Sequence, residues 1–85
     1  MNKYELGIYK VIGYNDMECK EVLLTNATWD ECLALKDNTK LNDNEVFDIA
    51  EVNENGEISG QSWTYLGDGT LIEVRDLYEH FGFKE

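Results

Sequence analysis

The sequence predicts an α+β domain: a four-stranded antiparallel sheet with two helices on one face, in ββαββα order. Three observations carry this expectation. Apolar–polar alternation occurs in pairs of segments, each pair joined by a short turn containing Asn or Gly. Each pair is followed by Thr-x-x-Glu and a stretch with helical apolar spacing. The chain has 85 residues, 42% of them apolar and 12% aromatic, which suits one modest core.

Each element follows from its residues. "YELGIYKVIGY" (4–14) sets Tyr4, Leu6, Ile8, Ile12 and Tyr14 on one face of a first strand. Lys10 interrupts that face, and its methylene stem can lie along the edge with the ammonium in water. "YND" is a turn, and "ECKEVLLT" (18–25) returns as a second, antiparallel strand. Thr28 and Glu31 then form a capping box, in which hydroxyl and carboxylate each accept from the other residue's amide. The first helix carries Trp29, Cys32, Leu33 and Leu35 as its apolar stripe and stops near Asn38. "NEVFDIAEV" (44–52) is a third strand, "ENG" a hairpin turn and "EISGQSWTYL" (57–66) a fourth strand. After the tight loop "GDG", Thr70 and Glu73 repeat the capping pattern. Leu71, Val74, Leu77, Tyr78 and Phe81 then mark one face of a second helix, closed by Gly82.

The two Thr-x-x-Glu sites lie 42 residues apart, and the turns at Asn15-Asp16 and Asn55-Gly56 are separated by nearly as much. One domain, 1–85, with an architectural pseudo-repeat (1–41 and 42–85) is therefore expected. Its core should include Leu6, Ile8, Val22, Leu24, Trp29, Leu33, Phe47, Ile49, Trp63, Leu71, Val74, Leu77 and Phe81.

Charge is the second strong signal. Eighteen acids against seven Lys plus Arg give a net charge of −11. Such a balance repels nucleic acid and anionic membranes, both polyanions, and directs attention to a basic partner. Cys19 and Cys32 are too few for a disulfide framework and read as free thiols. Neither a secretory leader nor a membrane span is apparent, so a cytoplasmic protein is expected. Six Lys to one Arg, with abundant Asn, Ile and Tyr, fits AT-rich coding of the kind found in low-GC bacteria and their phages.

Catalytic and ligand motifs are sparse. His80 is the single histidine, placed in the last turn of a helix where it complements the carbonyl end. No C-x-x-C or paired-His spacing supports a metal site, and no G-x-S-x-G elbow supports acyl transfer. "GDGT" precedes a helix, but Asp68 and Glu73 would repel phosphate. "NDNE" and "NENGE" lack the spacing of a calcium loop. No enzyme, cofactor or metal is expected.

What remains is the placement of the acids. Alternate strand residues lie about 6.6 Å apart, and helix residues three or four apart lie about 5–6 Å apart. The strand spacing resembles phosphate spacing along a nucleic-acid strand. A single row of acids is most simply a solvated face. Here acids recur on several elements without a matching set of cations, which costs stability through self-repulsion. The hairpin acids Glu51, Glu54 and Glu57, the helix acids Glu73, Asp76 and Glu79, and Asp16 with Glu18 at the first turn form the expected binding surface. Tyr9, Tyr14 or Tyr65 would supply aromatic anchors.

The run "GQSWTYLGDG" (60–69) resembles a Gly-x-x-Trp-x-x-Leu strand of antirestriction DNA mimics. With size and acidity, it makes the chain similar in class to small phage and mobile-element anti-defence proteins, antirestriction or anti-CRISPR. The resemblance implies a non-enzymatic inhibitor seated in the basic groove of a bacterial nucleic-acid-binding protein, without direct contact to nucleic acid or membrane. The alternative expectation is a small adaptor, homodimeric or bound to another protein, using the sheet face left open by the helices.

Overall fold

The computed structural model describes residues 2–82. Five strands and two helices follow in order: β1 Lys3–Gly13, β2 Asp16–Ala27, α1 Trp29–Asp37, β3 Glu45–Val52, β4 Ile58–Tyr65, β5 Leu71–Ile72 and α2 Val74–His80. They form one antiparallel sheet in the order β2-β1-β3-β4-β5. The two long hairpins meet at the centre, where β1 and β3 pair from Lys3↔Val52 to Lys10↔Glu45. Asn15, at φ 53°, turns the first hairpin, and Gly56, at φ 80°, turns the second. No helix among the described residues is long and apolar enough to cross a membrane.

The α+β class and antiparallel sheet agree with expectation, but the helix placement does not. Phe47 and Val46 are adjacent in β3, so their side chains leave opposite faces. Phe47 packs in a cluster with Leu6, Ile8, Ile49, Ala27 and Cys32 of α1. Val46 packs in a second cluster with Val11, Leu66 and Leu77 of α2. The two helices therefore lie on opposite faces of the sheet, and no face is left wholly open for an adaptor. β3 records this in its burial: Val46, Phe47, Ile49, Ala50 and Val52 are all buried. Two-sided burial suits a central strand covered on both faces.

The fifth strand is a second correction. Thr70 does not cap a helix. Its amide donates to Asp68 Oδ1 at 2.9 Å, and Leu71–Ile72 then pair with Tyr65 and Thr64. α2 begins only at Val74, with Glu73 at the cap position and no side-chain cap bond. Thr28 behaves as expected: its Oγ1 accepts from the Glu31 amide at 3.1 Å, and its own amide donates to Glu31 Oε1 at 3.0 Å. α1 also ends as expected, at Asn38, and Gly82 takes a left-handed φ of 77°.

Val22 and Leu71, expected in the core, are 49% and 57% exposed. Both lie toward sheet edges, Val22 on β2 and Leu71 on the two-residue β5. Ile12 and Tyr14 are exposed as well, because β1 hands its burial to the other face at Val11. On α1 the buried pair is Cys32 and Lys36, one turn apart. Lys36 lies beneath the loop before β5, its ammonium 4.9 Å from the Tyr65 ring centroid and 3.0 Å from Asp37 Oδ1. Cation–ring attraction and the carboxylate together offset the cost of drawing that charge out of water.

Candidate interaction surface

Strand direction decides where the acids lie. β1 runs toward the first turn and β3 runs back, so the two hairpin tips sit at opposite ends of the sheet. Ten steps of β1 separate Lys3 from Gly13, about 33 Å at strand rise, within a molecule 41 Å long. Glu51, Glu54 and Glu57 occupy one end, at and beside the second turn. Asp16 and Glu18 occupy the other, at the start of β2. α2 joins this second end, since Tyr78 packs edge-on to Tyr14 with ring centroids 5.7 Å apart. That contact brings Asp76 and Glu79 to the same pole as Asp16 and Glu18. Glu73 stands between the poles, at the start of α2 beside the end of β5. The structure thus divides the expected surface into two acidic poles.

Exposure supports most of these residues as surface charge. Asp16, Glu18, Glu54, Glu57, Glu73, Asp76 and Glu79 are exposed, and Glu51 is half-buried. Among the described residues, Glu73 alone of the eight makes an ion pair, with Arg75 Nε at 2.6 Å. Gly60 lies so close to Glu51 that a Cβ there would stand 2.6 Å from Glu51 Oε2. The Glu51 carboxylate is therefore laid against β4.

Two other acids of β3 are not free charge. Glu45 is buried, receives the Lys20 ammonium and accepts the Asn42 amide at 2.7 Å. The Lys20 hydrogen bond, then the Asn42 amide, hold its carboxyl below the usual Glu value. Asp48 is half-buried in the sheet and accepts from Thr64 Oγ1 at 3.1 Å. Burial pushes its carboxyl up, with Glu5 adding repulsion and Thr64 opposing.

Of the aromatic candidates, Tyr14 is 62% exposed at the acidic pole of α2 and is placed to anchor a contact. Tyr65 is half-buried under Lys36. Tyr9 lies over Gly7, with its ring edge 3.0 Å from where a Gly7 Cβ would stand. Its hydroxyl is pushed up to about 12 by burial and by Cys19 and Asp48. Tyr9 therefore covers a gap in the sheet rather than presenting itself to a partner.

Sequence reasoning missed the burial of Glu45 and the role of Tyr9. A signal was present for Tyr9: a Gly two residues away on the same strand face leaves room for a neighbouring ring. Both cysteines are free thiols, Cys19 exposed and Cys32 buried. Among the described residues no group of three His, Cys, Asp or Glu side chains is placed to hold a metal ion. Comparison with protein-family models, curated proteins and solved structures finds no match to this chain.

Proposed function

We propose that this chain is a non-enzymatic inhibitor that occupies the basic groove of a bacterial nucleic-acid-binding defence protein, of antirestriction or anti-CRISPR type. It would act in the host cytoplasm by presenting carboxylates where the target expects phosphates. One observation carries the reading: seven of the eight named acids are exposed, and only Glu73 is neutralised by an ion pair among the described residues. Five of the eight lie on regular strand or helix, Asp16 and Glu18 on β2, Glu51 on β3, and Asp76 and Glu79 on α2. A mimic gains from charges fixed before contact, because no ordering is then left to be done on binding.

The test is charge reversal at each pole. Glu54→Lys with Glu57→Lys alters one end, Asp76→Lys with Glu79→Lys the other, and Glu54→Lys, Glu57→Lys, Asp76→Lys alters both. A partner captured from bacterial lysate at low salt and released at high salt supplies the binding assay. Association should slow at least tenfold in the triple variant, since steering follows the summed field. Unchanged kinetics at physiological salt, with the fold intact, would reduce these acids to a solvated surface.

A further inference from the structure

The first half of β4 is an unpaired sheet edge. β5 pairs with Thr64 and Tyr65 only, and residues 58–62 are all exposed. Open edges are usually protected by Lys or other charges, by Pro, or by a bulge. Here a register shift between Ala50 and Val52 is the protection on show. The run 58–67 contains no charge and no proline, and it is the longest uncharged run in a chain that is 29% charged. Apolar groups flank the rim: Ile58 is 56% exposed, and Leu71 of the truncated β5 is 57% exposed. Beyond the edge opens a groove of about 490 Å³ lined by Ser62, Trp63, Ile72 and Val74.

Acids surround this neutral rim. Glu57 precedes Ile58, the Glu51 carboxylate lies against Gly60, and Glu73 walls the groove. Arg75, the cation of α2, is tied to Glu73. We propose that the β4 edge accepts an extended, Lys- or Arg-bearing segment of a partner protein as an added strand, continuing the line that β5 begins. Main-chain pairing along residues 58–62 supplies affinity, Ile58 and Leu71 supply apolar contact, and Glu51 and Glu57, which carry no ion pair among the described residues, select for cations. A second copy of this chain is a poorer occupant, because it brings another net charge of −11 to the same acids. The inference rests on an open backbone edge and not on phosphate mimicry, so it stands or falls apart from the charge-reversal test at the α2 pole.

The experiment uses the isotopically labelled chain with two synthetic octapeptides, alternating Val-Lys and alternating Val-Glu. With Val-Lys, exchange should slow at least tenfold at the amides among residues 58–62 that face the open edge, with shift changes there and at Leu71. Ile58→Lys and Leu71→Lys, both at exposed positions compatible with folding, should each weaken Val-Lys binding about tenfold. Three results overturn the proposal: no new protection with millimolar Val-Lys; equal binding of Val-Glu; or protection of the same amides on raising protein concentration without peptide, which assigns the edge to a second copy.

Discussion

Leu77 holds α2 to the sheet, and its truncation tests whether the two cores form one cooperative unit. α2 has seven residues and one buried side chain, Leu77, which is 1% exposed. Two helical turns do not persist alone in water, so attachment depends on that side chain and its half-buried neighbours Val74 and Phe81. Leu77→Ala removes a buried isopropyl group and leaves a gap beside Val11, Val46 and Leu66, a loss of about 3 kcal/mol. A chain of this size has roughly 4–13 kcal/mol in all, and self-repulsion places it toward the low end. The melting temperature should therefore fall on the order of 12–24 °C. Trp29 and Trp63 stack edge-on at 5.0 Å beside the α1 cluster, on the opposite face from Leu77. Tryptophan fluorescence thus reads the distant core, while far-UV circular dichroism reads the whole chain. Because Val46 and Phe47 are consecutive in one strand, both signals should shift together in urea, with one midpoint. A fluorescence midpoint unchanged from wild type, with only the dichroism altered, would refute the coupling and make α2 a separately melting element.

Other expectations follow from the caps and the buried acids. Thr28→Ala should cost about 1 kcal/mol by removing the hydroxyl that accepts the Glu31 amide, while the backbone amide of residue 28 can still donate to Glu31, whereas Thr70→Ala should cost far less, since Thr70 caps no helix; paired thermal melts distinguish them. Asp48→Asn should stabilise the protein at neutral pH and have little effect in acid. The folded state raises the Asp48 carboxyl, so its ionisation opposes folding and stability falls as pH rises through that value; denaturant melts of both forms at pH 4 and 7 decide it. Glu45 has the reverse sign: its stabilisation is full above the ordinary Glu value and is lost as pH falls through the lowered folded value. Glu45→Gln should therefore flatten the acid limb of the stability profile, and an unchanged limb would assign acid unfolding to other groups.

The sequence carried the four long strands, the first helix and both hairpin turns because each rests on a local pattern. Layering is not local, and it was misjudged for a specific reason. Alternation in β1 points Tyr4, Leu6 and Ile8 one way, but it does not reveal that Val11 is taken up by the other face. The informative segment was β3, where Val46, Phe47, Ile49, Ala50 and Val52 leave too few polar positions for a one-sided strand. The second capping pattern misled for a related reason. Asp68 takes the Thr70 amide, and Leu71-Ile72, the second β-branched, add to the sheet before helix can start. Of the candidate surface, residue identities were legible but their division into two poles was not, because it depends on the antiparallel pairing of β1 with β3.

That same pairing sets how the chain tolerates change. β1 serves one layer with Leu6 and Ile8 and the other with Val11, so a map of substitution tolerance along it should alternate and then reverse phase after Ile8. Along β3 the map should hardly alternate at all. A one-residue deletion between Ile8 and Val11 would move Val11 into step with Leu6 and Ile8, stranding α2 without its seat while leaving the hairpin's length almost unchanged. The middle of β1 is thus a joint between two half-built layers, and variation in this protein should collect at the outer strands and avoid that joint.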